Sequence, residues 1–209
     1  IDAWYASRKL DGLRCVAIID ANGEIELRSR TGNVFLTLDV IIRELKKLNL
    51  RSTVFDGEIC IVDEDDNEDF PAIQKEWNRK DHTIPNPRYK IFDMLTLKEF
   101  LAKKGEDKFS VRSLRIPQVI PADNKFLSIV EQILVRDEEH LQELRDEAKA
   151  LGWEGIMIRK DIPYEGKRSD KLLKCKLFED AEFVVVDAIM GDMRVIIKTP
   201  PNMVEHRMD

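Results

Sequence analysis

Leu13-Arg14-Cys15-Val16-Ala17-Ile18-Ile19-Asp20, then Ala21-Asn22-Gly23-Glu24, then Ile25-Glu26-Leu27-Arg28-Ser29-Arg30, is the stretch from which the fold is read. Two apolar-rich runs flank an Asn-Gly step whose residues tolerate φ > 0, so the pattern predicts a β-hairpin over residues 13–30. Downstream, residues 37–48 set Leu38, Ile41, Ile42, Leu45 and Leu48 at helical spacing behind Thr37 as N-cap, which predicts a helix packed on that hairpin. Residues 53–62 read as a buried strand running into an acidic loop, 63–69, and residues 70–79 read as a short helix. Pro85-Asn86-Pro87 then feeds a strand at 89–95. A helix is expected at 98–104, and 109–120 is ambiguous. Residues 138–151 carry the clearest helical stripe, Leu141, Leu144, Ala148 and Leu151, with Asp137 to cap its start and Gly152 to end it. Strands are expected at 129–135, 154–159, 172–177, 183–189 and 193–198. Strands interrupted singly by helices, with hairpins among them, predict an α+β domain of antiparallel sheets flanked by helices.

The 209 residues are 43% hydrophobic and 35% charged with only 9 Gly and 8 Pro, which excludes a disordered, collagen-like or low-complexity chain. The apolar runs fall far short of the roughly 20 residues that span a bilayer, so no membrane partner is expected. The opening Ile1-Asp2-Ala3-Trp4 has neither the charged nor the apolar region of a signal peptide. Cys15, Cys60 and Cys175 are scattered and form no Cys-x-x-Cys pair, against a disulfide framework or a structural zinc site. A reducing, cytoplasmic interior is the expectation. Lys plus Arg number 34 against 40 Asp plus Glu, a net charge of −6, so phosphate binding has to be local. Basic residues gather at 8–14, 28–30, 159–160 and 167–176, and acidic ones at 63–69 and 137–147. His82, His140 and His206 are dispersed, which disfavours a His-based relay.

Immediately before the hairpin stands Lys9-Leu10-Asp11-Gly12-Leu13-Arg14. At about 5% usage per residue type, its four fixed residues arise by chance in roughly one chain of this length in a thousand. It resembles the Lys-x-Asp-Gly-x-Arg signature of covalent nucleotidyltransferases, the superfamily of ATP-dependent DNA ligases, RNA ligases and mRNA capping enzymes. Further motifs follow in the superfamily's order. Ser29-Arg30-Thr31-Gly32 resembles motif Ia, Phe55-Asp56-Gly57-Glu58 motif III, and Tyr89-Lys90-Ile91-Phe92-Asp93 motif IIIa. The run 154–160, Glu-Gly-Ile-Met-Ile-Arg-Lys, resembles motif IV, and Leu172-Leu173-Lys174-Cys175-Lys176 motif V. Residues 154–182 are similar to compact viral and phage ATP-dependent DNA ligases, and the resemblance spans residues 4–190.

The chemistry can be stated without the family. Attack on an α-phosphate by a lysine needs the neutral amine, whereas a free lysine has a pKa near 10.4. Arg14, Lys174 and Lys176 close to Lys9, with a bound metal, would disfavour the ammonium and balance triphosphate charge. Phosphoryl transfer asks mainly for positioning and charge stabilisation, so fixed cations beside metal-holding carboxylates form a sensible set. The carboxylates on offer are Asp11, Asp56, Glu58 and Glu154.

The resemblance implies an ATP-dependent DNA ligase that seals nicks in duplex DNA through a lysyl-AMP intermediate on Lys9, as a monomer, with ATP and Mg²⁺. It implies nucleotide contacts from Arg14, Arg30, Glu58, Phe92, Met157, Lys174 and Lys176, with Phe92 and Met157 on opposite faces of adenine. It also implies metal ligands Glu58 and Glu154, support from Asp11 and Asp56, and DNA contacts from Arg30, Arg159, Lys160 and Arg168. The implied fold is the nucleotidyltransferase (ATP-grasp-like) fold at 1–179 followed by a partial OB-fold at 180–209; replication, repair and recombination of DNA are the processes such an enzyme serves. Two departures stand out. Ser7 occupies the place, two before the nucleophile, where many of these ligases carry a Glu that helps to read adenine. After motif V only about thirty residues remain, against roughly 90 to 100 for a complete OB-fold. An RNA ligase or a GTP-dependent mRNA capping guanylyltransferase is the alternative within enzymes, and a non-catalytic nucleotide- or nick-binding module the alternative outside them.

Overall fold

The structure, a computed structural model, describes residues 3–64, 66–77, 79 and 82–176, together with the backbone of two C-terminal strands. The chain divides into two compact units, Ile1–Leu177 and Phe178–Asp209. The first unit begins with β1 (Trp4–Arg8), β2 (Leu13–Ile19), β3 (Ile25–Ser29), α1 (Asp39–Lys47), β4 (Thr53–Cys60), α2 (Phe70–Trp77) and β5 (Arg88–Thr96). It continues with α3 (Leu97–Ala102), β6 (Lys104–Lys108), α4 (Phe109–Ser113), α5 (Ile116–Val119), β7 (Leu127–Ile129), β8 (Ile133–Val135), α6 (Glu138–Ala150), β9 (Gly155–Lys160), β10 (Pro163–Glu165) and β11 (Leu172–Lys176).

Two sheets build this unit. One has the order β3-β2-β4-β5-β7, the other β11-β9-β1-β8, and β10 pairs with β6 apart from both. In the larger sheet Cys15, Ala17 and Ile19 alternate into a core with Phe55, Ile59, Tyr89 and Ile91, covered by Leu38, Ile41 and Leu45 of the α1 segment. The buried Tyr89 hydroxyl donates to the Cys15 and Phe55 carbonyls, 3.0 Å each, and ties three strands together. On the smaller sheet one face is covered by α6, where Leu144 and Ala148 pack on Ala6 and Ile156. That leaves the second face of each sheet for the cleft described below.

The α6 helix starts and stops as its sequence predicts: the Asp137 side chain accepts from the His140 amide at 2.8 Å, and Gly152 follows at φ +67. Leu151 leaves the stripe and is exposed. Three expectations need correction. The sheets are not wholly antiparallel, because β7 runs parallel to β5 after a crossover through α3, α4 and α5. Thr37 does not cap α1. The helix begins at Asp39 behind Leu38 with no side-chain cap, and the core draws Leu38 and Thr37 inward, where the Thr37 carbonyl accepts from Ile84 N at 2.8 Å. Finally, 129–135 is two strands: Val130 N donates to Ile91 O at 2.8 Å at the end of β7, and from Ile133 the chain pairs with β1 in the other sheet. One apolar run thus serves two sheets. The ambiguous stretch 109–120 holds the short helices α4 and α5.

In the second unit β12 (Met193–Thr199) and β13 (Asn202–Met208) pair antiparallel from Met193↔Met208 to Thr199↔Asn202. The strand expected at 183–189 lies outside the described residues.

Candidate active site

A cleft of about 170 Å³ opens between the two sheets, lined among others by Ser7, Lys9, Arg14, Arg30, Glu58, Phe92, Gln132, Met157, Arg159 and Lys174. Lys9 enters it just after β1. Its backbone amide donates to Gly155 O at 2.9 Å, which fixes the turn against the start of β9. Gly155 stands at φ +142, and a Cβ there would lie 2.1 Å from the Cys175 carbonyl, so β9 and β11 can close beside Lys9 only over a glycine. The same closeness carries Glu154 to the nucleophile candidate: Lys9 Nζ donates to Glu154 Oε2, and Lys176 Nζ lies 2.7 Å from Glu154 Oε1. One carboxylate is therefore shared by two amines. Burial works to raise the Glu154 pKa, but the hydrogen bonds from Lys176 and Lys9 outweigh it and hold the carboxyl below its usual range. Asp11, in the turn after Lys9, is raised by burial and by the Glu154 charge, with Lys9 opposing.

The other wall comes from the larger sheet. Arg14 faces the cleft from β2 and forms a two-pronged ion pair with Asp56 of β4, its guanidinium carbon 5.0 Å from the Phe92 ring centre. Glu58, opposite Arg14 in register, is pushed up by burial to about 7, only partly countered by Arg14 and Lys9. Phe92 owes its position to a β-bulge. Asp56 pairs with Asp93 and Gly57 with Ile91, so Phe92 is the extra residue; Phe92 and Asp93 both turn away from the core that holds Ile91, Phe92 lining the cleft and Asp93 buried behind it. Behind it lies a buried network in which Arg112 donates to both Asp93 oxygens at 2.9 Å and Arg159 to Oδ2 at 2.7 Å. Arg159 rests between rings, 5.5 Å from Phe92 and 4.5 Å from Phe109.

Thus Lys9, Arg14, Arg30, Glu58, Phe92, Met157, Arg159 and Lys174 line one cleft, and Asp11, Asp56, Glu154 and Lys176 lie against its residues. Two expected residues stand apart. Lys160 sits on the β9 face shared with Ile156 and Ile158, opposite Trp4 and 6.0 Å from that ring, and Arg168 is exposed in the loop after β10. Sequence reading missed Gln132 and Arg112, neither of which stands in a motif. A larger cavity of about 350 Å³ adjoins the cleft behind Ser7, Arg8 and Leu10. Its cations are already matched: Lys90 with Asp66 and Glu68 at 2.7 and 3.0 Å, and Arg8 with Glu68. The cleft, with more cations than carboxylates, is the better anion site.

The sequence model of the ATP dependent DNA ligase domain matches residues 1–176. This chain belongs to that family. The DNA ligase of African swine fever virus is 30% identical over 198 residues, covering 88% of this chain and 44% of the viral protein. Among solved structures, Pmar-Lig_PreS3 superposes with a TM-score of 0.76 at 28% identity over 85% of this chain and 43% of that one. The bacteriophage T7 ATP-dependent DNA ligase in complex with ATP has a TM-score of 0.66 at 20% identity, over 83% and 62% respectively, which speaks for the fold. The chain spans less than half the length of the viral relative.

A divalent metal can be tested against the donors present. Among the described residues no three or more His, Cys, Asp and Glu side chains converge as a cage. Glu58 and Glu154, electrically coupled at the cleft, are a two-carboxylate set, which suits Mg²⁺ because it is commonly held by one or two carboxylates plus substrate phosphates. No helix among the described residues is long and apolar enough to cross a membrane.

Proposed function

We propose that this chain is the nucleotide-transfer part of an ATP-dependent DNA ligase. Lys9 Nζ attacks the α-phosphorus of ATP; a P–N bond forms, the bond to the β-phosphate oxygen breaks, and pyrophosphate departs. The AMP then passes from Lys9 to the 5′-phosphate of a nick, and the 3′-hydroxyl displaces it to close the strand. The observation that carries this reading is the Lys9–Glu154–Lys176 cluster at a cleft walled by Phe92 and Met157. Lys9 is the nucleophile, and Glu154 orients its amine. Adenine lies between Phe92 and Met157, Glu58 meets the ribose, and Arg14, Arg30, Lys174 and Lys176 take phosphate charge. Bound Mg²⁺, held by Glu58 and Glu154, would supply charge neutralisation at the phosphates. Asp56 fixes Arg14, and Asp11 tunes the Lys9 turn.

The DNA partner is nicked duplex, met by the exposed Arg30 and Arg168, with Arg159 bracing the cleft wall behind Phe92 and Lys160 turned to the other face of its strand, and the protein acts as a monomer inside a cell. We place the transfer domain at 1–179 and a partial OB-fold at 180–209; the division of the chain near residue 177 and the β12–β13 hairpin support that boundary. Intact-mass measurement after incubation with ATP and Mg²⁺ tests the reading: an AMP adduct forms, and Lys9→Ala forms none. A GMP adduct from GTP instead would move the reading to capping, and sealing of nicked RNA but not nicked DNA would move it to RNA ligation. No adduct from a protein in which a complete OB-fold follows the transfer domain would remove it. Affinity for a nick falls as salt rises, because phosphate contacts release counterions.

A further inference from the structure

A row of side chains crosses the floor of the cleft. Lys174 of β11 pairs with Met157 of β9, which pairs with Ser7 of β1. On the far side of β1 the antiparallel pairing with β8 ends at Ala6↔Ile133; Gln132 stands just before that strand and lines the cleft with the other three. Among the described lining residues Ser7 and Gln132 are the two that are polar and uncharged. Groups of this kind read the edge of a neutral base, whereas the surrounding lysines and arginines suit its phosphates. Ser7 and Gln132 line the same small cleft, so a ligand held over Met157 meets both.

The amide has a defined orientation. Gln132 Nε2 donates to the Val130 carbonyl at 3.1 Å. A carbonyl oxygen can only accept, so the nitrogen is committed to the backbone and Oε1 is left as the acceptor offered to a ligand. We propose that Gln132 selects the base: its Oε1 accepts a hydrogen bond from the exocyclic amino group of adenine at the edge of a ring held between Phe92 and Met157. A 6-oxo group there, as in guanine, sets two acceptors against each other and leaves Oε1 unpaired. This inference rests on reading the cleft as the ATP site.

The test is equilibrium binding of α,β-methylene ATP and α,β-methylene GTP, whose bridging carbon blocks transfer, to the full chain. Wild type prefers the adenine analogue. Gln132→Leu, close in shape but unable to hydrogen-bond, lowers that preference about tenfold by weakening adenine binding, the size expected for one hydrogen bond. A preference unchanged in Gln132→Leu, or missing from wild type, overturns the assignment. Adduct formation from ATP on the same preparations separates the two readings. A preference that depends on residue 132 without an adduct breaks the transfer reading alone, and an adduct with a preference indifferent to residue 132 breaks this one alone.

Discussion

Two clusters of charge stand within one unit of this protein, and they are built to opposite ends. In the first, Asp93 and Arg112 are almost fully buried, with side chains 4% and 3% exposed, and every prong has a partner: Arg112 also donates to the Asp107 carbonyl at 2.7 Å, and Arg159 closes the remaining Asp93 position. In the second, Lys9 and Lys176 share the single carboxylate of Glu154, and Lys176 is 47% exposed. Arg30 and Lys174 line the same cleft, exposed to solvent. The closed cluster is complete within the fold, so its worth is in holding Phe92, Arg159 and α4 in place. The open cluster carries more positive than negative charge and, on the proposed reading, is completed by an anion from outside.

The sharpest break between them is predicted for Lys9→Ala. It abolishes adduct formation outright, since the proposed reading gives the attacking amine to Lys9 alone, while the melting temperature moves little because the amine is already at the cleft surface. Intact mass and calorimetry on one sample check both halves. The reverse pattern is expected for Asp93→Ala, which leaves Arg112 and Arg159 buried without their carboxylate. Breaking such a pair costs about 3–5 kcal/mol, and urea titration reads it directly. A loss under about 1 kcal/mol would show that water or Asp56 compensates, and the two clusters would no longer differ in kind.

Glu58 stands between the two, buried yet facing the cleft. Burial raises its pKa from 4.5 to about 7, so between those values the folded state holds a proton that the unfolded chain has lost. The unfolded state then binds fewer protons, and stability falls as pH rises from about 4.5 to about 7 and levels off above, by roughly 3 kcal/mol for this group. Glu58→Gln removes that slope. On the proposed reading, in which the ionised carboxylate meets ribose and metal, adduct formation rises with pH through about 7, and the Gln variant loses that inflection. Denaturant titrations and adduct rates across this range check the two signs, which run opposite ways.

Much of this arrangement is legible in sequence, and the limits have physical causes. The motif residues announce themselves because close backbone approach and phosphate chemistry admit few side chains: Gly155 where β9 meets β11, Gly12 where a Cβ would lie 2.4 Å from the Ile59 carbonyl. The α6 helix is legible from cap to cap because its signals are local. The strand β6 is not, since Lys-Gly-Glu-Asp-Lys has no apolar alternation and forms by pairing with β10 across a long stretch of chain. The bulge at Phe92 is equally hidden, because two consecutive residues turned to one face violate the period-two rule by which strands are read. Gln132 comes to the site because β8 behind it pairs with β1, strands more than a hundred residues apart, and Arg112 meets Asp93 because the short helix α4 packs on β5.

The smallest change in chemistry, Glu154→Gln, isolates what the open cluster does. The amide keeps the size of the carboxyl and one acceptor but gives up the charge that both amines share, so each of the two bonds weakens. Lys176 rises above the usual lysine pKa through its hydrogen bond to Glu154, and in the variant that elevation disappears. Solvent reaches these groups, so the fold is expected to lose no more than about 4 °C in melting temperature. Transfer, by contrast, depends on where the Lys9 amine points and on the charge opposing it, and loss of a single preorganised electrostatic partner commonly costs about a hundredfold. The adduct still forms, because Lys9 remains, but at about one hundredth of the rate, measured as a time course of mass. If the rate held while the melting temperature dropped steeply, Glu154 would belong with Asp93 as part of the scaffold, and the distinction between a cluster completed by the fold and one completed by its substrate would fail at its central residue.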